Sequence, residues 1–326
     1  MPLKVHFLNV GEGDCTIIEH ASGRISVVDL SNIKTLDTDS AAELLLSEAR
    51  QRNLDISKTD RAVLSETLVK AIAKAPPLTD ALEYFDAKIG RRTDIFRLII
   101  THPHMDHISG IDRLINSEPK SVENFWHASK HNFDLDDDAK WAKGMGRFNR
   151  DDWLTYKAVR DSAERRTFDQ RRYESRDFWA QDGIEIWAPT DPLVDLAVEK
   201  NDQNILSMVL KITYAGSSIL LGGDATAAET WPAIYPSTAM GDISILKASH
   251  HGRNSGYHQA SVKEMSPWLT ITSVGDPEHD ASKKYRRYSD YTVSMRKVGD
   301  IVITIEDDGT IVYPPNLKER WQPRKS

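Results

Sequence analysis

The chain has 326 residues, of which 40% are hydrophobic and 28% charged, and its formal net charge at pH 7 is −7. This composition is typical of a globular protein with a sizeable core. The acidic balance argues against general nucleic-acid binding, although it leaves room for a local basic groove. No stretch approaches the roughly 18 apolar residues of a membrane helix, and we expect neither a membrane association nor a secretory leader. The single cysteine, Cys15, excludes an internal disulfide and favours a cytoplasmic location.

The first hundred residues predict a β-meander, a helical segment and a buried strand. Apolar and β-branched runs separated by glycine-containing turns are typical of short strands. From residue 40 to about 89 the pattern changes to helical periodicity, and Pro76-Pro77 separates two helical pieces. The strands predicted in this part are 5–10, 15–19, 25–30 and 96–100.

The remaining chain returns to strands after a charged interruption. Residues 128–180 are polar, with aromatic residues interleaved, and we predict a helical insertion there. The other predicted strands are 122–126, 184–187, 207–214, 218–222, 243–246, 269–274 and 302–306. Strands followed by helices in two successive halves predict an α/β fold, a four-layer αββα sandwich. We expect one domain over 1–315, helical insertions at 31–95 and 128–180, and a frayed tail at 316–326.

The strongest functional signal is a histidine-rich turn after the predicted strand 96–100. It contains His102, His104, Asp106 and His107 within six residues. Imidazole and carboxylate groups are ligands of zinc and similar ions. A tight turn with the first two residues on one side and the last two on the other can hold two ions about 3.5–4 Å apart. The alternative is a polar loop that happens to be rich in histidine, but this spacing after a strand favours a metal site.

Two later loops supply further candidate ligands. Asp224 follows an apolar strand and two glycines, which predicts a carboxylate that bridges the ions, although such an aspartate is also common in ordinary turns. His250 and His251 follow another predicted strand. Because adjacent side chains usually diverge, we expect one to bind metal and the other to contact substrate or donate a proton. The alternative is a pair of solvent-exposed histidines.

Together these segments resemble the metallo-β-lactamase superfamily, and most closely the soluble domain of the DNA-uptake channel protein ComEC and its stand-alone relatives. The resemblance is carried by residues 7–14, by the spaced Asn204, Ser207 and Val209, and by residues 247–252, 272–275 and 308–311. It covers residues 3–30, 96–127 and 184–312. It implies the αββα sandwich of the superfamily and a hydrolase with two divalent metal ions, zinc first and manganese or magnesium as alternatives.

The resemblance also implies individual roles. The implied ligands are His102 and His104 for the first ion, Asp106 and His107 for the second, Asp224 as the bridge and His251 as the last histidine. His250 is then the substrate-facing catalytic partner of Asp106, and Asp29 orients the site from outside the ligand shell. One departure concerns residues 201–204, Asn-Asp-Gln-Asn, where most of the superfamily has another ligand histidine. Asn204 fits the ComEC-type pattern, so we expect a weakly held metal or a water at this position.

The predicted reaction is attack by a metal-bound hydroxide, with a phosphodiester favoured by the resemblance; the protein would then be a phosphodiesterase or nuclease. The alternatives are a hydrolase of a small ester, lactone or phosphocholine-like substrate, and a non-catalytic binding or regulatory protein. Candidate substrate contacts are Lys247, Arg253 and His279. Cations and aromatic rings in the 128–180 insertion are compatible with a nucleic-acid groove, but interspersed acids favour a solvated helical face. The sequence leaves the oligomeric state open.

Overall fold

The computed structural model describes residues 1–33, 35–36, 38–118, 120–137, 141, 147–235, 238–273, 280–320 and 322–323. Within these residues the chain forms two β-sheets that pack on each other, with helices on their outer faces. This is the predicted four-layer αββα sandwich. No helix in the described part of the chain is long and apolar enough to cross a membrane.

The first sheet has eight strands in the order β14-β13-β1-β2-β3-β4-β5-β6. They are β1 (Leu3–Phe7), β2 (Thr16–Glu19), β3 (Ile25–Val28), β4 (Ile95–Ile99), β5 (Val122–His127), β6 (Thr167–Asp169), β13 (Ile301–Ile305) and β14 (Ile311–Val312). The strands from β3 to β6 run parallel to one another, so their carboxyl ends lie at one edge.

The second sheet has seven strands in the order β15-β12-β11-β10-β9-β8-β7. They are β7 (Ile184–Ala188), β8 (Val209–Tyr214), β9 (Ser217–Leu221), β10 (Ile245–Lys247), β11 (Leu269–Thr272), β12 (Tyr291–Ser294) and β15 (Gln322–Pro323). The strands from β9 to β12 are parallel. Their carboxyl ends therefore share one edge, from which the loops of the candidate site extend.

Eleven α-helices are present in the described residues. They are α1 (Thr38–Gln51), α2 (Arg61–Lys74), α3 (Ala81–Phe85), α4 (Met105–Ile108), α5 (Arg150–Arg160), α6 (Asp177–Gln181), α7 (Asp191–Lys200), α8 (Thr230–Ile234), α9 (Gln259–Met265), α10 (Ser282–Tyr285) and α11 (Met295–Val298). Asp60 immediately precedes helix α2, and its side chain accepts a hydrogen bond from the Ala62 N–H and so caps the first turn. Helices α1 and α2 form an antiparallel hairpin within the predicted 31–95 insertion.

Strands β1 to β4 of the first sheet are largely buried on both faces because both faces are covered. Successive residues alternate between two clusters: Ile17 packs with the helix-side cluster and Ile18 with the cluster between the sheets. Leu98 and Ile99 divide in the same way. Side chains alternate along a strand, so a continuous apolar run fills both layers at once. This burial fixes the register of β4, and with it the position of the turn that follows.

The predicted insertion at 128–180 is only partly helical. Helices α5 and α6 lie within it, but between them β6 pairs in parallel with β5, opposite residues 125–127, and extends the first sheet. Three residues are too short a run to show a strand period in the sequence.

The predicted tail at 316–326 is also in contact with the sandwich. Leu317 is buried in the core, and β15 pairs antiparallel with β12. The division into one domain at 1–315 and a tail stays a prediction.

Candidate metal centre

The histidine-rich turn is held in place by Asp29, which follows β3. Its carboxylate accepts hydrogen bonds from the Thr101 N–H (2.7 Å) and the Thr101 hydroxyl (2.8 Å). The same carboxylate lies 2.8 Å from His107 Nδ1. Asp29 is fully buried, and this contact turns His107 Nε2 away from β3 and toward the second sheet. The end of one strand thus positions the turn that follows the neighbouring strand.

Asp224 is the point on which the candidate ligands converge. His107 Nε2 lies 3.4 Å from Asp224 Oδ1, while His102 Nε2 and His251 Nε2 lie 3.7 Å and 3.4 Å from Oδ2. On the other side of the cluster, His251 Nε2 lies 3.2 Å from Asp106 Oδ2. The sequence-predicted residues of three separate loops therefore meet in one place.

The donor atoms form groups of three that lie close enough together to bind one metal ion. One set contains His102, His107 and Asp224, and another contains Asp106, His107 and His251; within each, the ligand atoms lie within 4.8 Å of one another. His104 Nδ1 is 3.0 Å from His102 Nε2, which adds a second imidazole beside the first set. Nitrogen and carboxylate oxygen at this density are the donors of zinc and related ions.

Unpaired buried atoms provide a test of whether this arrangement fits metal ions. His107 Nε2 and Asp224 Oδ1 are buried and make no hydrogen bond to any described residue. A buried polar atom without a partner is costly, so such atoms are rarely left in a purely structural cluster. Their presence at the point of convergence fits coordination of metal ions.

The electrostatics of the cluster are dominated by its carboxylates. Burial lowers the pKa of His107, but the charges of Asp224, Asp29 and Asp106 outweigh burial and raise that pKa well above its ordinary value. Conversely, burial raises the pKa of Asp224, and the charges of His251 and His107 bring it well below the ordinary range. In the absence of metal, protons on the histidines balance the carboxylates, so metal binding would release protons.

A buried network behind His251 was not singled out from the sequence as part of the site. Lys247 Nζ contacts Asp14 Oδ1 (2.6 Å) and Ser273 Oγ (2.7 Å), and the Ser273 hydroxyl donates to the same Asp14 oxygen (2.7 Å). Asp14 Oδ1 also lies 3.6 Å from His251 Nδ1. Gly13 is needed beside it because a Cβ there would collide with the Asp106 carbonyl. The available signal was the Gly-Glu-Gly-Asp turn itself, whose acid precedes a strand.

The three residues predicted from the sequence to contact the substrate do not share one environment. Lys247 was expected to contact substrate, but its amine is buried in the network with Asp14. Arg253 is partly buried and donates to Glu12 Oε1 (2.8 Å), and Arg147 of the insertion contacts the other Glu12 oxygen. His279 lies outside the described residues.

The histidine pair has two different environments. His250 is partly exposed, lies 3.7 Å from Asp224 Oδ2 through Nε2, and has its Nδ1 2.9 Å from Ser255 Oγ. His251 is fully buried and lies close to both Asp106 and Asp224. Both residues adopt positive φ (50° and 60°), and the planes of the two rings are inclined at 72° to each other. This divergence is what the sequence predicts for adjacent residues with different roles.

The segment 201–204, where a further histidine was absent, forms the start of a short 3₁₀ turn. The Asn204 side-chain oxygen is buried and makes no hydrogen bond to any described residue. His127 is buried at the end of β5, where its Nδ1 lies 3.9 Å from Asp169 Oδ1. Its neighbours are charged residues of the insertion, not those of the cluster.

Comparisons with known proteins concern the family and the fold. The model of the metallo-beta-lactamase superfamily matches residues 88–267. Similar solved structures include the metallo-beta-lactamase fold protein YhfI from Bacillus subtilis, at 10% identity and a TM-score of 0.42, with 96% of this chain and 100% of that chain covered. Another is Igni18, a metallo hydrolase from Ignicoccus hospitalis, at 12% identity and a TM-score of 0.45, with 93% and 99% covered. Yeast PDE1 is 13% identical, with a TM-score of 0.36 and 87% and 80% covered. Among curated proteins there was no match.

Proposed function

This chain belongs to the metallo-β-lactamase superfamily, a family of metal-dependent hydrolases, and we propose that it hydrolyses a phosphodiester bond at a two-metal centre. The observation that carries the proposal is the convergence on Asp224 of buried donor atoms that make no hydrogen bond to any described residue. A protein that had kept only the fold would have no need to hold these atoms without hydrogen-bond partners. This argument favours turnover over a purely regulatory role.

We assign the ligands by their distances from Asp224 or from another ligand of the same cluster. The first ion would be held by His102, His104 and Asp224, and the second by Asp106, His107, His251 and Asp224. The first set has one histidine fewer than the superfamily pattern, and the buried Asn204 oxygen lies on the segment where that histidine is missing. Zinc suits the histidine-rich set, while an amide or water oxygen there would favour manganese or magnesium.

Bound divalent ions would lower the pKa of a coordinated water and stabilise negative charge on the substrate. The chain's own residues would orient that substrate. In our assignment the Ser255 hydroxyl donates to His250 Nδ1, so that the Nε2–H on the cluster side can donate to a substrate oxygen. Asp29 and Asp14 would keep His107 and His251 in their orientations.

The preference for an anionic diester is supported by Arg253. Arg253 follows the ligand loop by two residues; burial lowers the pKa of its guanidinium, but the charge and hydrogen bond of Glu12 and the charges of Asp106 and Asp224 outweigh burial and raise it. A guanidinium next to the reacting position is suited to a phosphate oxygen. Neutral esters and lactones would make no use of it.

The experiment is hydrolysis of bis(p-nitrophenyl) phosphate, of p-nitrophenyl acetate and of labelled single-stranded DNA and RNA, with zinc or manganese added. Asp106→Asn should abolish diester hydrolysis because it removes a ligand charge from the second set, while the exposed Asp55→Asn should retain it. Cleavage of the acetate alone would replace the diester proposal with an esterase. Equal activity of both variants would show that the cluster is not the active site.

A further inference from the structure

A cavity of about 540 Å³ lies between the α1–α2 hairpin and the carboxyl ends of β11 and β12. Because β9 to β12 are parallel, these ends share one sheet edge with the loops that carry Asp224 and His251. The cavity therefore lies along the same edge as the metal centre. None of the motifs discussed above assigns a function to this cavity.

One residue separates the cavity wall from the ligand loop. Thr272 lines the cavity, and a Cβ placed on Gly252, the neighbour of His251, would lie only 2.6 Å from Thr272 Cγ2. Asp280 also lines the cavity and forms a β-bridge with Arg253. The cavity and the ligand loop are therefore neighbours across Thr272 and the Arg253–Asp280 bridge.

The wall formed by β12 offers hydroxyl groups. Thr292 and Ser294 lie two residues apart, on the same face of the strand, and both line the cavity. Their hydroxyl oxygens are buried and make no hydrogen bond to any described residue. Glu43 and Ser47 line the opposite wall on α1. Hydroxyl and carboxylate groups facing one cavity are suited to a ligand with several hydroxyls.

The hairpin that closes the cavity is held by its own polar contacts. Lys74 of α2 pairs with Glu48 of α1 (2.6 Å), and Arg52 donates to the Thr67 hydroxyl (2.7 Å). Of the described residues that line the cavity, none is aromatic. A quaternary ammonium group is normally held by aromatic faces, so this lining argues against a choline-like headgroup.

We propose that this cavity binds the non-reacting part of a small phosphodiester, a hydroxyl-bearing group of about nucleoside size. The volume is within the range of about 300–1,000 Å³ that small-molecule sites occupy. The covering hairpin would obstruct a continuous polynucleotide strand, so the substrate is a nucleotide-sized diester. The reacting bond in this inference rests on the proposed function, whereas the binding of the hydroxylated group does not.

The test is isothermal titration of the EDTA-treated protein with uridine 5′-monophosphate and with its 2′,3′-dideoxy analogue. The wild type should bind the hydroxylated nucleotide about tenfold more tightly, since each hydrogen bond to a buried group contributes on that order. Ser47→Phe fills the cavity from α1 and should reduce affinity at least about tenfold. Ser65→Phe makes the same change at an exposed position of α2 and should have no effect.

A more conservative substitution tests the same cavity in case Ser47→Phe fails to fold. Thr292→Val removes one unpaired hydroxyl without changing the volume and should weaken binding of the hydroxylated nucleotide alone, by about three- to tenfold. Equal binding of the two nucleotides, no binding by the wild type, or unchanged binding by both cavity variants would overturn the inference.

Activity separates this inference from the proposed function. Hydrolysis of bis(p-nitrophenyl) phosphate without nucleotide binding would leave the proposed function intact and remove the cavity inference. Nucleotide binding that Ser47→Phe abolishes, without any hydrolysis, would do the reverse. If the protein both hydrolyses the diester and binds the nucleotide, Ser47→Phe should lower kcat/KM for the p-nitrophenyl ester of uridine 5′-monophosphate. The same variant should leave kcat/KM for methyl p-nitrophenyl phosphate unchanged.

Discussion

Asp14→Asn tests whether the buried network behind His251 supports the whole centre. Lys247 and Asp14 are almost fully buried, with side chains 5% and 8% exposed, and their charged atoms lie 2.6 Å apart. In Asp14→Asn the ammonium keeps the Ser273 hydroxyl and an amide oxygen as neutral contacts, but it loses the opposite charge beside it. Breaking a buried pair on one side costs about 3–5 kcal/mol of unfolding free energy. Asp224 repels Asp14 at short range, which places the expected loss near 3 kcal/mol.

The assay is urea unfolding of the EDTA-treated protein at pH 7, with Asp14→Asn, Lys247→Met and the double variant compared. Replacing both partners by uncharged groups should restore more than half of the loss, because the double variant buries no unpaired charge. Glu66→Gln, which disrupts an exposed pair with Lys70, is the control and should leave stability unchanged. Additive single-variant effects, or a loss below about 1 kcal/mol for Asp14→Asn, would refute the reasoning.

Three further predictions concern metal and pH. Asp29→Asn should weaken metal affinity about 10- to 100-fold in a chelator-competition titration, because it removes the carboxylate beside His107 Nδ1; unchanged affinity would contradict this role. Metal at about 1,000 times its Kd should raise the unfolding free energy by about 4 kcal/mol, which calorimetry with and without EDTA would measure; identical Tm values would exclude binding. Burial lowers the pKa of His20 to about 4, below its unfolded value, so stability should fall as pH decreases from about 6.5 to 4, by about 3 kcal/mol from this group. His20→Gln should show a correspondingly weaker pH dependence in urea unfolding; an unchanged slope would argue against this burial effect.

Much of the sandwich could be predicted because its strands are buried on both faces. In residues 96–100 every position except Arg97 is apolar, and the structure places the adjacent Leu98 and Ile99 in different core layers. The short strands were missed: β6 contributes only Thr167–Asp169, and β12 reads Tyr-Thr-Val-Ser among charged neighbours. These elements are strands because an existing sheet edge pairs with them, which is tertiary information that local sequence does not carry.

The candidate ligands could be predicted better than the groups that support them. Three histidines in one turn form a local pattern, whereas the Asp14–Lys247 contact joins residues more than two hundred positions apart. Lys247 illustrates the difference, since its place beside a histidine pair suggests a substrate contact while its burial assigns its charge to Asp14. Spacing along the chain gives residue types, but only the meeting of two sheet edges determines which charges neutralise one another.

The charges of the whole centre connect the network to the proposed substrate. Four carboxylates lie in or beside the cluster: those of Asp14, Asp29, Asp106 and Asp224. In the described residues the ammonium group that contacts them is that of Lys247. Without metal, protons on His107 and His251 offset two of the three remaining negative charges, because the carboxylates raise the pKa of both histidines well above the ordinary value. Two divalent ions would replace those protons and leave the centre close to neutral or slightly positive, with Arg253 beside it. Such a centre would attract an anion more strongly than a neutral ester, and for this reason we propose a phosphodiester as the substrate class.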